Sequence, residues 1–373
     1  MQLLQVPTFE SDARKMRHLA VYLATALCLA QTGPAVIFHS TDDPAYNTTA
    51  PTGALADSGW NLQGRWGAFL GTPIAPNLFI TAKHVGGGVG GIFEFRGTNY
   101  TVIESFADPD SDLRIFKVCG LFPAHAPLYA NRDEIGKRLV VFGRGTRRGV
   151  EVVGDSLGGP EQKGWRWGDG DGVMRWGENI VSTNVPTATG IGELLGAAFD
   201  AAGGVNEVHL SSGDSGGGVF IQAGGTWRLA GINYAVEGPF NNSNNGAGFN
   251  AAVFDVGGLY QKNVVSGGWG YNNDLPVNQP SSFYATRISG NLAWINSIIA
   301  QHAVSSQPPV LQSTATLGTP FSDHASYTVN EVDQTITLDQ PAGVLFLRLR
   351  GCSAFEIQAT EISNGKWILH YTR

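Results

Sequence analysis

The sequence has little charge of either sign and no cluster of basic residues. Charged side chains make up 15% of the 373 residues, and the formal net charge of −7 is spread along the chain. A protein that binds nucleic acid or an anionic membrane surface needs a patch of Lys and Arg. The absence of such a patch argues against both kinds of partner, and the acidity mainly favours solubility.

Apolar runs long enough to span a bilayer are also missing. The apolar stretch Leu19 to Ala30 is too short for a membrane span, and it follows a basic segment that begins at Arg14. This order is typical of a secretory signal peptide, and small residues near Ala30 and at Ala35 offer cleavage sites. We therefore predict that residues 1–35 are a leader and that the protein is secreted or periplasmic. An uncleaved amphipathic helix is the alternative.

Glycine, in contrast, is abundant, with 50 of 373 residues. Val, Ile, Thr and aromatic residues recur in short alternating runs that Gly, Pro, Asn and Asp separate. This pattern is typical of an all-β chain with many tight turns. A chain of this length can bury one or two substantial cores.

Three motifs together supply a serine, a histidine and an aspartate. They are GDSGG with Ser215, TAKH with His84, and the alternating run DLRIFKV, which begins at Asp112. A serine hydroxyl needs an imidazole to take its proton and a carboxylate to fix the imidazole tautomer. The glycines permit a sharp turn that aims the N–H groups of Gly213 and Ser215 at one point, where an oxyanion would lie.

Each motif alone also has a structural explanation. GDSGG can be a glycine-rich turn, and His84 can be a hydrogen-bonded core histidine. Asp112 ends the sequence Asp108-Pro-Asp110-Ser-Asp112, whose alternate carboxylates resemble part of a calcium loop. A calcium loop of the EF-hand type needs a glycine after the third acid and a later glutamate, whereas this segment runs into an apolar strand. The three motifs together favour catalysis.

The order His84, Asp112, Ser215 and the surrounding segments resemble the trypsin-like serine peptidases, the family with the chymotrypsin fold. The segments are GTPIAPNLFITAKHV (71–85), DLRIFKV (112–118), LAGINYA (229–235) and TRISGNLAWINSII (286–299). The resemblance covers roughly residues 36–303, the predicted protease domain. It implies an all-β fold of two six-stranded antiparallel barrels with a C-terminal helix. The first barrel would run from about Gly64 to Leu121 and the second from about Leu139 to Tyr284.

The resemblance implies a secreted, bacterial-type serine endopeptidase that cleaves protein or peptide substrates through an acyl-enzyme. Ser215 would be the nucleophile, His84 the general base and then acid, and Asp112 the group that orients the imidazole. The N–H groups of Gly213 and Ser215 would form the oxyanion hole. This chemistry needs no metal and no organic cofactor. A catalytically silent binding or adhesion protein on the same scaffold, or an esterase, are the alternatives.

Two features of the family are missing. Val85 follows His84, so the histidine loop lacks the disulfide that staples it in animal relatives. The Ile-Val-Gly-Gly terminus, which in relatives pairs with the aspartate before the nucleophile, is absent too. Asp214 therefore needs another partner, or cleavage near Ala35 creates the required terminus. Cys119 and Cys352, the cysteines outside the leader, can pair or remain separate thiols.

The resemblance also places residues at the primary substrate pocket. The position six before the nucleophile, at the base of the pocket, is His209. Because no carboxylate stands there, a buried substrate Arg or Lys would be unpaired, and tryptic specificity is disfavoured. His209 either donates to an acidic or amide substrate side chain or turns away. Tyr234 and Val236 stand where the family often has Ser and Gly, and they would narrow the pocket.

The chain continues beyond the region of resemblance. Ser305-Ser-Gln-Pro-Pro is typical of a linker, which we assign to residues 304–318. Three alternating runs then predict strands of a small β-module over residues 319–373; they begin at Thr335, Val344 and Lys366. Such a module is short for independent stability, so we expect it to dock on the protease domain or on another protein.

Residues 164–177, GWRWGDGDGVMRWG, combine three tryptophans with a DGDG turn. This composition favours an aromatic hairpin on the rim of a barrel. Sugar stacking and calcium binding are the alternatives.

Overall fold

The computed structural model describes residues 36–156, 158–187, 190–263, 266–304, 306–352 and 355–372. The predicted leader, residues 1–35, lies outside the described residues. The described chain begins with the short strand β1 (Ile37–Phe38) and two 3-10 turns, Gly53–Leu55 and Trp60–Leu62.

The next six strands close into an antiparallel barrel. They are β2 (Gly64–Trp66), β3 (Phe69–Ala75), β4 (Leu78–Ala82), β5 (Ile92–Phe95), β6 (Thr98–Ala107) and β7 (Leu113–Val118), paired in the order β2-β3-β4-β7-β6-β5. Part of the barrel core is aromatic. Phe79, Phe93 and Phe116 are fully buried, and the rings of Phe79 and Phe93 stack with centroids 3.9 Å apart. Buried aromatic pairs of this kind contribute strongly to core stability.

Thirteen strands follow in the second half of the predicted protease domain, counted over the described residues. They are β8 (Arg138–Gly143), β9 (Arg148–Ser156), β10 (Gly159–Trp167), β11 (Arg175–Val185), β12 (Leu194–Ala198), β13 (Val208–His209), β14 (Gly218–Ala223), β15 (Thr226–Val236), β16 (Phe240–Asn241), β17 (Ala251–Val253), β18 (Tyr260–Lys262), β19 (Trp269–Tyr271) and β20 (Ser282–Arg287). Six of them close a second barrel in the order β11-β12-β20-β15-β14-β8. The others form the three-stranded sheets β17-β10-β9 and β16-β18-β19 and the pair β1-β13.

The prediction of an all-β fold with two six-stranded antiparallel barrels is confirmed, and the architecture is chymotrypsin-like. The helix α1 (Leu292–His302) follows the second barrel, as predicted, and buries Ile295 in a core cluster with residues of both barrels. Strands β3 and β4 of the first barrel approach β14 and β15 of the second. Loops at the ends of these strands therefore meet between the barrels. None of the helices in the described part of the chain has the length and apolarity needed to cross a membrane.

The prediction of an aromatic hairpin over residues 164–177 is wrong. Its first half belongs to β10, which pairs with β9 and β17, whereas its second half opens β11, which pairs with β8 and β12. The Asp171 carboxylate accepts the Val173 N–H (2.7 Å) and binds Arg175, which fixes the link between the two sheets. Trp165 and Trp176 are both buried, in separate clusters, so neither offers an open face to a sugar.

The C-terminal residues form two small sheets. The strands are β21 (Val310–Thr314), β22 (Ser322–Asp323), β23 (Thr328–Asn330), β24 (Thr335–Asp339), β25 (Phe346–Arg350), β26 (Glu356–Ser363) and β27 (Lys366–Thr372), paired as β22-β21-β25 and β23-β24-β27-β26. Their shared core includes Leu311, Ile336 and Leu369. The strand β21 lies inside the range predicted as linker. This segment forms a strand because Leu311 is buried in the core and opposes Leu349 in the ladder.

A disulfide attaches this module to the first barrel. Cys119, just beyond β7, is bonded to Cys352, just beyond β25. The sequence left the pairing open, and the structure resolves it in favour of the bridge. Gln307 adds contacts at the same place: its Oε1 accepts the Gly120 N–H (2.6 Å) and its Nε2 donates to the Val118 carbonyl (3.3 Å).

Candidate active site

The ends of β4 and β7 bring His84 and Asp112 together. Ala82, the last residue of β4, opposes Leu113, the first residue of β7, in the antiparallel ladder. His84 follows β4 in the 3-10 turn Lys83–Val85, and Asp112 immediately precedes β7. The Lys83 N–H donates to the Asp112 carbonyl (2.8 Å). Strand register alone therefore places the imidazole and the carboxylate side by side.

A chain of hydrogen bonds links Asp112, His84 and Ser215. The Asp112 carboxylate uses both oxygens on His84: Oδ2 lies 2.6 Å from Nδ1, and Oδ1 accepts the backbone N–H at 3.0 Å. The second ring nitrogen, Nε2, lies 2.9 Å from the Ser215 Oγ. A carboxylate accepts the Nδ1 proton, so Nε2 carries the lone pair that faces the serine hydroxyl.

The turn around Ser215 depends on two glycines. Gly213 (φ 98°) and Gly216 (φ 78°) both have left-handed backbone conformations, which glycine adopts most easily. A Cβ on Gly216 would lie 2.3 Å from the Thr81 Oγ, and one on Gly213 would lie 2.9 Å from the Gly145 Cα. The turn that carries Ser215, the nucleophile turn, packs against β4 on one side and against the end of β8 on the other. This close packing is possible only because Gly213 and Gly216 have no side chain.

The backbone N–H groups of Gly213 and Ser215 have no hydrogen-bond partner within the described ranges. The neighbouring N–H groups are paired: Asp214 donates to the Ser211 carbonyl and Gly216 to the Asn233 carbonyl, at 3.2 and 3.0 Å. Both residues are half-buried, so a substrate atom could reach their N–H groups. Two unpaired donors beside the nucleophile can bind an anionic oxygen.

The partner that Asp214 requires is present in the structure. Its carboxylate is fully buried and accepts four hydrogen bonds: from the N–H groups of Val36 (3.2 Å), Gly145 (2.7 Å) and Ser211 (2.7 Å), and from the Ser211 hydroxyl (3.0 Å). Burial raises the pKa of Asp214 to about 6, and the hydrogen bonds partly offset this rise. Asp214 thereby ties the nucleophile turn to the first described residue of the chain.

His209 does not lie in an accessible pocket, which corrects the prediction that it lines the substrate site. It belongs to β13, opposite Ile37 of β1, and has no exposed surface. Its Nδ1–H donates to the Leu210 carbonyl (2.7 Å), and its ring packs edge-on against Phe199 and Phe283. Burial lowers the pKa of His209 to about 4, so the imidazole is neutral near pH 7. Pairing with the N-terminal strand turns this side chain into the core.

Tyr234 lies beside His84, as its place on β15 predicts, and is 5% exposed. The two rings meet edge to face with centroids 5.7 Å apart, and Tyr234 packs with Ile191 and Tyr284 behind them. Burial, and to a smaller degree the Asp112 charge, raise the pKa of Tyr234. Val236 is half-buried against the second barrel core. The narrowing of a pocket by Tyr234 and Val236 stays a prediction.

Asn233 is a supporting residue that the motifs did not reveal. Its side-chain amide donates to the backbone carbonyls of Phe142 (2.8 Å) and Asp214 (2.9 Å), and its backbone carbonyl accepts the Gly216 N–H. The amide thus joins the nucleophile turn to β8 and β15. The signal was available, because an amide inside the buried run LAGINYA must find hydrogen-bond partners.

Two sets of acidic side chains in the described residues are satisfied by protein donors and are not arranged around an open metal position. The Asp108 carboxylate accepts the Asp110 N–H (3.0 Å) and the Ser111 hydroxyl (2.6 Å), so it closes its own loop. Elsewhere, Glu161, Asp255 and Asp274 surround the Lys163 ammonium, at 3.1, 2.6 and 3.0 Å. Burial opposes the charge of Lys163, but these carboxylates raise its pKa. Lysine occupies the position that a metal ion would take.

Comparison with known proteins gives a single kind of match. No protein-family model matches the chain, and no curated protein matches it. Among solved structures, the chain is similar to mouse neuropsin, a serine protease expressed in the limbic system of the brain, with a TM-score of 0.40 and 12% sequence identity. The alignment covers 65% of this chain and 96% of that chain. So distant a likeness says nothing about activity.

Proposed function

We propose that the protein is a serine endopeptidase that cleaves peptide bonds through an acyl-enzyme on Ser215. The observation that carries the proposal is the hydrogen-bonded chain from Asp112 through His84 to Ser215, with contacts of 2.6 and 2.9 Å. The unpaired N–H groups of Gly213 and Ser215 support it.

The geometry supports a definite sequence of proton transfers. As the Ser215 Oγ attacks the scissile carbonyl, its proton passes to the His84 Nε2, and the imidazolium is stabilised by Asp112. The carbonyl oxygen becomes an oxyanion, which the N–H groups of Gly213 and Ser215 bind. His84 then returns the proton to the leaving amine. A water, deprotonated in the same way, releases the acyl group from Ser215.

The proposal extends to where the enzyme works and what it meets. We propose that it is a secreted or periplasmic enzyme of the bacterial type, exported through the leader predicted over residues 1–35. Its substrates are proteins or peptides. The C-terminal module, which the Cys119–Cys352 disulfide attaches to the first barrel, docks on the protease domain or also binds another protein.

A fluorophosphonate probe tests the nucleophile directly, because it phosphonylates only an activated serine. We expect the wild-type protein to be labelled and Ser215→Ala to be inert. Ser215→Ala and His84→Ala should each lower kcat for peptide hydrolysis by on the order of 10⁴-fold or more, since the three residues act as a unit. Ser182→Ala is the matched control and should label normally, because it removes the hydroxyl of an exposed residue on β11 that, among the described residues, donates only to the Gly196 carbonyl (3.1 Å).

Cleavage of a peptide library, read by mass spectrometry, separates the alternatives. Peptide cleavage that Ser215→Ala abolishes supports the endopeptidase. Hydrolysis of activated esters without peptide cleavage would favour an esterase. A wild-type protein that neither labels nor cleaves would be a binding protein on this scaffold, and near-normal peptidase activity in Ser215→Ala would refute the assignment.

A further inference from the structure

Lys83 stands between the apolar strand β4 and His84, in a 3-10 turn, and its side chain is only half-exposed. An ammonium group in such a place must find acceptors, because leaving it unpaired is costly. Lys83 forms no ion pair with any carboxylate in the described ranges of the chain. Its partners are backbone carbonyls.

Three carbonyl oxygens receive the Lys83 ammonium: those of Asp108 (2.8 Å), Ser111 and Gly190 (3.5 Å). An ammonium has three N–H donors, so this set can satisfy it completely. Asp108 and Ser111 belong to the loop between β6 and β7 in the first barrel. Gly190 belongs to the loop between β11 and β12 in the second barrel.

The two loops also bind each other directly. The Gly190 N–H donates to the Asp110 carbonyl (3.1 Å), and the Asp112 N–H donates to the Ile191 carbonyl (3.2 Å). Ser111 and Ile191 form a parallel β-bridge. Lys83 therefore lies where three segments meet: its own turn after β4, the loop that carries Asp112, and the loop between β11 and β12 of the second barrel.

Asp112 depends on these contacts for its backbone position. Its carbonyl is held by the Lys83 N–H, its N–H by Ile191, and the preceding carbonyl, of Ser111, by the Lys83 ammonium. Rotation of the Asp112 side chain could not compensate for a backbone shift, because both carboxylate oxygens already bind His84. A shift of the loop would move the carboxylate relative to the imidazole, and misplacement of a catalytic group by about 1 Å can cost on the order of 10²-fold in rate.

We propose that Lys83 is the positioning residue for Asp112, acting as an internal cation that clamps the loops of both barrels behind the Asp112–His84 pair. Its kinetic consequence rests on the proposed peptidase function, whereas the positioning itself is a property of the fold. Lys83 does not need to touch a substrate for this role. Its loss should therefore lower kcat and leave KM nearly unchanged.

Lys83→Met tests the role of the ammonium, because it keeps an unbranched apolar side chain of nearly the same length and removes the ammonium. We expect kcat to fall by roughly 10- to 100-fold with KM within about twofold. Lys83→Arg keeps the charge and the donors and should lose less than about tenfold in kcat. The matched control is Lys117→Met on β7, which removes a half-buried ammonium paired with Glu104 (2.7 Å) and should change neither constant more than about twofold.

A second readout does not need activity. The proton in the short Nδ1–H···Oδ2 bond of His84 and Asp112 should resonate far downfield of amide protons in the NMR spectrum. We expect it in the wild type, Lys83→Arg and Lys117→Met, and expect it broadened or lost in Lys83→Met. If Lys83→Met does not fold, Lys83→Gln, which removes the charge and shortens the side chain by one atom, makes the same comparison.

The outcomes separate the two proposals. A Lys83→Met protein that keeps the downfield proton and a kcat within twofold of wild type overturns the role of Lys83. A wild-type protein that is inert to peptides and to fluorophosphonate, but loses the proton on Lys83→Met, overturns the peptidase function and leaves the clamp standing.

Discussion

At the scale of single residues, Val36 is held in an unfavourable backbone conformation. Its φ is 26°, in a region that β-branched residues rarely adopt, and its N–H reaches the buried Asp214 carboxylate at 3.2 Å. A free α-ammonium at Val36 would have no such φ restriction and would pair its charge with Asp214. Cleavage after Ala35 would thus replace the hydrogen bond from an uncharged backbone N–H with an ion pair beneath the turn that carries Ser215.

We accordingly predict that the fully active protein begins at Val36. N-terminal sequencing and intact mass of the active form should show this terminus. A form that keeps residues before Val36 should have a kcat/KM lower by roughly tenfold or more, because Asp214 would lack its charged partner. Equal activity of the two forms would mean that the hydrogen bonds from Gly145 and Ser211 are sufficient for Asp214.

Single residues differ in how far the sequence predicts them. His84, Asp112 and Ser215 were predicted as one site because each stands in a short motif, and the strand register brings them together. Their catalytic roles remain proposals. His209 was misplaced, because its environment depends on β1, a strand that is distant in sequence and pairs with it only in the fold. A position counted from the nucleophile does not reveal such a partner.

At the scale of elements, the short strand β13 and the residue before it carry two buried titratable groups with opposite effects on stability. Glu207 directly precedes it and is 3% exposed; its Oε1 accepts from the Asn179 amide (2.9 Å) and the Asp200 N–H (3.0 Å). Burial raises the pKa of Glu207 to about 8, with the charges of Asp200 and Glu178 adding to the rise. His209, in contrast, has its pKa lowered to about 4 by burial.

The signs predict a bell-shaped pH dependence of the free energy of unfolding. A carboxyl whose pKa is higher in the folded state stabilises most at low pH, and Glu207 loses this contribution as pH rises from about 4.5 through 8. An imidazole whose pKa is lower in the folded state acts oppositely, and His209 loses its contribution as pH falls from 6.5 through about 4. Since one pKa unit is about 1.4 kcal/mol, each loss can reach several kcal/mol.

Glu207→Gln should keep the carbonyl acceptor and remove the ionisation, so its stability should fall less than that of the wild type between about pH 6 and 9. Urea unfolding over a pH series measures this. Glu151→Gln, at an exposed position on β9, is the control and should follow the wild-type curve. Parallel curves for Glu207→Gln and wild type would show that Glu207 does not titrate in this range.

The elements also show where sequence patterns stop being informative. Alternating runs predicted an all-β chain, because strands with one face in a core alternate apolar and polar residues, whereas the two barrels were implied by the family resemblance. The hairpin predicted over residues 164–177 failed, since two adjacent strands can pair with different partners and local composition does not choose between them. The strand β21 was read as linker because prolines precede it, although Leu311 is buried in the C-terminal core.

At the scale of the whole molecule, the C-terminal module is a small unit attached to a large one. Its cluster of fully buried apolar side chains is limited to Leu311, Ile336, Leu338, Leu369 and Tyr371 among the described residues. A core of this size supplies little independent stability. The Cys119–Cys352 disulfide and the Gln307 hydrogen bonds hold the module at the end of β7. This end of the barrel does not include His84, Asp112 or Ser215.

The module should therefore be separable from catalysis. In Cys119→Ser/Cys352→Ser we expect the module to unfold at a lower temperature than in the wild type, because a disulfide typically contributes about 2–4 kcal/mol. A protease added in trace amounts should then cut beyond residue 304, while peptide hydrolysis by the barrels stays within about twofold. Calorimetry, limited proteolysis and a kinetic assay on one preparation measure all three. Dithiothreitol supplies the control, since it should reproduce the effect in the wild type and change nothing in the double variant. Parallel loss of the module and of activity would instead mean that the disulfide stabilises the first barrel, and with it the loop that carries Asp112.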